Sequence, residues 1–296
     1  MLTPRPGPSF AGVLGWPLAH TLSPTIHNAA FRRAAIDCVY LAWPVPPDDL
    51  GAAVAGLSAL GALGANVTMP HKERVGAHLD ALSPDAAAVG AVNTIAFTAD
   101  GAIGHNTDVD GFRAVLAADA GADARGRRAI VLGAGGAARA VVKALADAGA
   151  AEVAVAARDP GRALAVARVA GAAGRALEWS AASTAASGAD LVVNATPLGG
   201  DGTDPAPGAA FRPGQVVVDL VYDPPATPLV ERARAAGADA WGGLGMLVHQ
   251  AAASFRVWTG QEPSVEAMSA AAVHALGGAP RGPGAVARPR FGSDDA

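Results

Sequence analysis

Lysine and asparagine are nearly missing from this 296-residue chain. Its 22 basic residues include only two lysines, Lys72 and Lys143, and the rest are arginine. Only five asparagines occur, Asn28, Asn66, Asn93, Asn106 and Asn194. Cys38 is the single cysteine, so no internal disulfide can form, which fits a reducing cytoplasmic compartment. No window holds about 20 strongly apolar residues, because Gly, Arg and Asp interrupt the alanine-rich stretches, and this excludes a membrane-spanning helix. The opening stretch is proline-rich with no apolar run, so no signal peptide is read there. Net charge is −4, so nothing in the charge balance points to a nucleic acid or other polyanion as partner. The histidines show no H-E-x-x-H spacing, Cys38 has no partner cysteine, and no serine nucleophile elbow is present, so no metal site is expected.

The background is Ala, Gly, Val, Arg and Pro, all residues of GC-rich codons. Lys and Asn have AT-rich codons, so drift removes them where they do nothing specific. The survivors cluster in short polar motifs: His27-Asn28, Asn66-Val67-Thr68, Val92-Asn93-Thr94, Asn106-Thr107-Asp108 and Asn194-Ala195-Thr196, with Lys72 following the second. An ammonium is a compact point charge whose pKa burial can tune, which a guanidinium cannot match. Lys72 is therefore a candidate for proton transfer, whereas Lys143 reads as a surface residue.

A hydrophobic content of 51% is ample for a buried core. The first part alternates strands with helices. Strands are expected over residues 10–15, 38–45 and 64–68, and helices over 24–35 and 47–60. Ser23 is expected as N-cap and Pro24 at the first turn. Segments 93–97 and 102–105 flank Asp100-Gly101, a hairpin turn signal. This alternation implies an α/β domain with a mostly parallel sheet. A second α/β unit begins near Gly111, with strands over 128–132, 152–157, 190–194, 215–220 and 238–241, and helices to about residue 148, over 160–170 and over 227–236. The expected division is 1–110 for substrate and catalysis, 111–243 for a Rossmann dinucleotide domain, 244–276 for C-terminal helices packing back on the first domain, and 277–296 for a disordered tail.

Gly133-Ala134-Gly135-Gly136-Ala137 follows a strand and opens a helix, the context a dinucleotide site requires. Gly133 permits the tight turn and Gly135 lets the backbone approach a pyrophosphate. Gly136 and Ala137 start a helix whose free N–H groups favour an anion. The end of the next strand selects the cofactor. Ala157-Arg158-Asp159, with Arg162 a turn later, offers two guanidinium groups to a 2′-phosphate, which favours NADP(H). Asp159 keeps the alternative open, since an acid there can take the ribose hydroxyls of NAD.

Thr21 and Ser23 precede a helix and offer hydroxyls to a carboxylate. Asn66, Thr68, Asn93 and Asp108 suit a hydroxylated ligand. Lys72 with Asp108 makes an acid–base pair if the fold joins them.

These motifs, together with Gly15-Trp16-Pro17-Leu18-Ala19-His20-Thr21-Leu22-Ser23-Pro24 and Gly243-Leu244-Gly245-Met246-Leu247-Val248-His249-Gln250, resemble the shikimate dehydrogenase family over roughly residues 10 to 270. The resemblance implies Lys72 and Asp108 as the catalytic pair, Thr21 and Ser23 at the substrate carboxylate, and Asn66, Thr68, Asn93, Asp108 and Gln250 at ring hydroxyls. It puts Tyr222 beside the substrate and Thr196, Leu220, Gly243 and Met246 on the cofactor. It further implies NADPH-dependent reduction of 3-dehydroshikimate to shikimate in aromatic biosynthesis, and it admits a homodimer. Thr21 stands where the family usually has Ser, and Ala157 where it usually has Asn. Two alternatives stay open: an NAD-dependent quinate/shikimate dehydrogenase, and a catalytically silent nucleotide-binding regulator.

Overall fold

The computed structural model describes residues 8–18 and 21–277. Residues 278–296, most of the expected tail, lie outside the described residues. The chain divides into two compact units. One holds the described residues up to Thr107 and those from Gln250 onward, and the other runs Asp108–His249.

The first unit contains β1 (Ser9–Gly15), α1 (Ser23–Arg33), β2 (Cys38–Pro44), α2 (Leu50–Leu60), β3 (Gly64–Val67), β4 (Ala81–Leu82), α3 (Pro84–Val89), β5 (Thr94–Thr98) and β6 (Gly101–His105). Its sheet has the order β2-β1-β3-β5-β6-β4. β1 runs parallel to β2 and β3, while β5 is antiparallel to β3 and to β6. From Ala11 onward β1 is wholly buried, which explains its unbroken apolar run. Leu14, Leu50, Val54, Ala65, Val67, Val75, Val92 and Ile95 form the core beside it.

Four local expectations are corrected. Leu22 occupies the N-cap of α1 without a side-chain bond and Ser23 is already helical, so Ser23 is not the cap. At the other end Ala35 takes a positive φ of 52° outside the helix, closing it earlier than expected. The segment from Pro47 begins as a 3-10 turn before α2. In the hairpin Thr98 pairs with Gly101, so the turn is Ala99-Asp100, one residue earlier than the Asp-Gly signal suggested.

The second unit opens with Asp108, in the first turn of α4 (Thr107–Ala114). It continues through β7 (Arg128–Leu132), α5 (Gly136–Asp147), β8 (Glu152–Ala157), α6 (Pro160–Ala167), β9 (Gly174–Glu178), α7 (Ala182–Gly188), β10 (Leu191–Asn194), β11 (Val216–Asp219), α8 (Pro228–Ala235) and β12 (Asp239–Trp241). α9 (Leu244–Thr259) spans the division at His249, and α10 (Val265–Ala275) packs on α1 in the first unit.

The second sheet is fully parallel in the order β12-β11-β10-β7-β8-β9. Counted within the unit this is 6-5-4-1-2-3, the doubly wound arrangement. Its core is small-residue and β-branched, with Ile130, Leu132, Ala156, Val192, Val217, Leu229 and Val230 all buried. Strand order reverses between β7 and β10, and ligands bind at such a switch point. Among the described residues no helix is long and apolar enough to cross a membrane. None of them forms a cluster of three or more potential metal ligands either.

Candidate active site

In the second unit the glycine loop lies where the strand order predicts. Leu132 pairs with Asn194 at the ends of β7 and β10. Gly133 follows with φ of 109°. A Cβ there would come within 2.9 Å of the Ala195 carbonyl, so both conformation and space require glycine. Gly135 is the extended N-cap of α5, and a Cβ there would meet nothing within 4 Å. Ala134, Gly135, Gly136 and Ala137 are all half-buried. A bare glycine at a helix start with open space above it fits the backbone approach a pyrophosphate needs.

At the end of β8, Arg158 and Arg162 are both exposed. Asp159 caps α6 instead, its Oδ1 accepting from the Arg162 N–H at 3.1 Å. Capping gives the acid at this strand end a structural role of its own.

The loop after β10 is held by Asn194. Its Oδ1 accepts from the Thr196 N–H at 3.0 Å and the Thr196 hydroxyl at 2.7 Å. Leu220, next to the end of β11, donates its N–H to the Asn194 carbonyl at 2.9 Å. Gly243 packs so closely on the Leu220 carbonyl that a Cβ would overlap it. Tyr222 is half-buried, and burial, followed by the charge of Asp223, raises its pKa so that the phenol keeps its proton. Met246 is buried on α9, four residues from Gln250. His249 on the same helix meets Asp119 with Nε2 and Oδ1 3.1 Å apart.

In the first unit the antiparallel course of β5 explains why scattered motifs gather. Asn66 on β3 pairs with Thr94 at the start of β5, and Thr94 pairs with His105 at the end of β6. The starts of an antiparallel strand lie beside the ends of its neighbours. Asn66-Val67-Thr68, Asn93-Thr94 and Asn106-Thr107 thereby share one edge of the sheet.

There a buried polar cluster forms. Tyr40 Oη donates to Asn66 Oδ1 at 2.6 Å. Asn66 Nδ2 faces the Asn93 carbonyl at 3.1 Å, Thr94 Oγ1 at 3.0 Å and Ser254 Oγ at 2.9 Å. Asn93 Oδ1 accepts from the Thr107 N–H at 2.7 Å, and Asn93 Nδ2 donates to Thr107 Oγ1 at 2.9 Å and to Gln250 Oε1 at 3.4 Å. The expected residues Asn66, Asn93 and Gln250 are thus joined. Tyr40, Thr94, Thr107 and Ser254 complete the cluster, and sequence reasoning gave them no role. Tyr40 carried one unused signal, since it is one of only two tyrosines.

The remaining expected residues sit on flanking loops. The Ser23 N–H donates to Thr21 Oγ1 at 3.2 Å, so both hydroxyl residues belong to one turn before α1. Thr68 is half-buried and its N–H donates to the Leu14 carbonyl at 2.9 Å. Lys72 is half-buried, and its carbonyl accepts from the Val92 N–H at 2.8 Å, tying the lysine loop to the Asn93 segment. His71 is buried with Nε2 2.8 Å from the Val45 carbonyl, a contact that anchors the loop. Asp108 is buried in the first turn of α4. Lys72 and Asp108 fall on opposite sides of the division after Thr107.

Comparison with known proteins agrees with this picture. The family profile "Shikimate dehydrogenase substrate binding domain" matches residues 13–95, "Shikimate / quinate 5-dehydrogenase" matches 115–198, and "Shikimate 5'-dehydrogenase C-terminal domain" matches 243–273. Shikimate dehydrogenase (NADP(+)) of Moorella thermoacetica is 45% identical, covering 96% of this chain and 99% of its own. Shikimate 5-dehydrogenase from Thermus thermophilus, solved with NADP(H) and shikimate, is 39% identical with a TM-score of 0.79, covering 90% of this chain and 99% of its own. Quinate dehydrogenase from Corynebacterium glutamicum, solved with NAD, is 33% identical with a TM-score of 0.81, covering 91% of this chain and all (100%) of its own. Fold likeness alone therefore does not separate shikimate from quinate, or NADP from NAD, but over nearly its whole length this chain belongs to the shikimate dehydrogenase family.

Proposed function

We propose that this chain reversibly reduces 3-dehydroshikimate to shikimate with NADPH, with the first unit holding the substrate and the second the cofactor. The observation that carries this reading is the gathering of the polar motifs at one edge of the first sheet, where uncharged donors and acceptors suited to a polyhydroxylated ring surround Asn93 and Gln250. Family membership supports the same chemistry.

Thr21 and Ser23 take the substrate carboxylate. Thr68, Asn93, Asp108 and Gln250 take ring hydroxyls, with Asn66 behind them because its amide already serves four protein groups. When bound, the nicotinamide supplies or accepts the hydride. Lys72 delivers a proton to the ketone oxygen as it becomes an alkoxide, and recovers it in the reverse direction, with Asp108 partnering the ammonium. Gly133, Ala134, Gly135, Gly136 and Ala137 receive the pyrophosphate, Arg158 and Arg162 the 2′-phosphate. Thr196, Leu220, Gly243, Met246 and Tyr222 border the nicotinamide and substrate. Engagement of Asp159 in the α6 cap supports NADP over NAD.

The test is absorbance of reduced nicotinamide with shikimate or quinate and NADP+ or NAD+, in all four combinations. Fastest reduction is expected with shikimate and NADP+. Preference for quinate or NAD+ would move the chain to the oxidative branch, and no reduction in any combination would leave a nucleotide-binding regulator.

A further inference from the structure

We infer that Tyr40, Thr94 and Ser254 are positioning residues that hold in place a hydrogen-bond chain whose direction the Asn93 carbonyl and the Thr107 N–H set, so that Gln250 meets the substrate as a donor. Carboxamide nitrogen and oxygen are distinguished by their partners, and groups of fixed polarity settle each case. A backbone carbonyl only accepts, so the Asn66 atom 3.1 Å from the Asn93 carbonyl is its nitrogen. Asn66 Oδ1 then faces Tyr40, whose hydroxyl must donate at 2.6 Å. A backbone N–H only donates, so the Asn93 atom 2.7 Å from the Thr107 N–H is its oxygen. Asn93 Nδ2 therefore faces Gln250, which must present Oε1 to it. The donors of Gln250 are carried by its other terminal atom, turned away from Asn93.

The three hydroxyls between these amides transmit that order. Thr94 Oγ1 donates to Asn93 Oδ1 at 3.0 Å and Ser254 Oγ donates to the Gln250 carbonyl at 3.0 Å, while the two hydrogens of Asn66 Nδ2 are shared among the Asn93 carbonyl and these two hydroxyl oxygens. Thr107 Oγ1 closes the group, 3.1 Å from Thr94 Oγ1 and 3.0 Å from Ser254 Oγ. All of these side chains except Gln250 are buried, so water does not set their order. Tyr40 is itself fixed by His27, whose ring stacks on the phenol with centroids 4.3 Å apart and planes 7° from parallel. A donor at Gln250 suits a substrate oxygen that accepts, whether hydroxyl or developing alkoxide. The longest link, at 3.4 Å between Asn93 and Gln250, is the one a substrate oxygen exchanges most readily.

The inference deepens the shikimate reading and rests on it, so the full-length wild type is assayed first with shikimate and NADP+. No turnover would defeat that reading. Given turnover, Tyr40→Phe and Thr94→Val are expected to raise the shikimate KM about 5- to 20-fold while the NADP+ KM stays unchanged, the scale of one lost hydrogen bond. Thr94→Ser is expected to recover most of the Thr94→Val loss, because it restores the hydroxyl. Gln250→Glu, which can still accept from Asn93 but has no N–H to offer, is expected to lose at least tenfold more shikimate affinity than Tyr40→Phe. A shikimate KM within twofold of wild type in Thr94→Val would overturn the inference. So would parallel rises in both KM values, or a Gln250→Glu enzyme that binds shikimate normally. If Tyr40→Phe does not fold, the Thr94 pair gives the same reading.

Discussion

Asn194 and Asp219 meet across the ends of two adjacent parallel strands, with Asn194 Nδ2 donating to Asp219 Oδ1 at 2.8 Å. Asp219 is fully buried, with no counter-charge beside it among the described residues. Its carboxylate also accepts from the Thr227 hydroxyl at 2.6 Å and the Val221 N–H at 3.0 Å. One acid thus holds the β11 loop to the start of α8, and through Asn194 it steadies the Thr196 loop. Burial raises its pKa, while these three donors oppose the rise. Asp219→Ala is expected to destabilise by about 3 kcal/mol, because it orphans buried donors. Asp219→Asn, which keeps the shape and can donate to Thr227, is expected to cost far less. Urea denaturation of both variants checks this, and equal losses would show that the charge itself matters.

His27 makes the acid limb of the stability profile testable. It is fully buried, and burial lowers its pKa from 6.5 to about 3, with a smaller opposing pull from the Asn66 side chain. Neither ring nitrogen has a hydrogen-bond partner among the described residues, so burial dominates. Between pH 6.5 and about 3 the unfolded chain takes up a proton that the folded chain refuses. Stability from this group is therefore complete above pH 6.5 and is lost as pH falls toward 3, by at most about 1.4 kcal/mol per pH unit. His27→Phe keeps a ring against Tyr40 and removes the titration. Its unfolding free energy should fall less steeply between pH 6.5 and about 5 than that of the wild type. Parallel curves would mean that His27 titrates normally.

Lys72→Ala is expected to lower kcat for shikimate oxidation by about 10²–10⁴-fold, the usual worth of a positioned proton donor. The melting temperature should hold within a few degrees, because the side chain is only half-buried. Near-normal turnover in that variant would remove Lys72 from the chemistry.

Arg158 and Asp159 are neighbours with separable roles. Arg158→Ala is expected to raise the NADP+ KM by about 10-fold or more, about 1.5 kcal/mol for a charge-assisted hydrogen bond, while the NAD+ KM stays put. Asp159→Ala should instead lower stability by about 1 kcal/mol through loss of the α6 cap. Its NADP+ to NAD+ preference should not move. A collapse of NAD+ turnover in Asp159→Ala would identify the acid as a ribose ligand.

The strands were legible because their causes are local. Arg128–Leu132 and Glu152–Ala157 have the limits that their apolar runs suggested. Helix starts were less legible. Whether Ser23 caps or enters α1 depends on one backbone dihedral at Leu22, and either serine would look the same in sequence. Short elements such as β4 and α7 went unread because two to seven residues carry too little periodicity. The site divided along the same line. Residues of rare type inside fixed motifs announced themselves, whereas Ser254 and Thr94 are ordinary residues whose importance comes only from what surrounds them.

Sequence alone determined the two α/β units, the glycine turn and the ordered set of polar motifs, since each follows from residue type and near-neighbour spacing. Only the tertiary structure decided what those motifs do together. Asn66 and Ser254 are 188 positions apart, yet they hydrogen-bond at 2.9 Å. What brings the motif strands together is the antiparallel placement of β5 between β3 and β6: β6 follows through a tight hairpin, but the pairing with β3 joins Asn66 to Thr94 across the intervening loop and α3. The polarity of the buried amides is settled by backbone groups that no local pattern specifies.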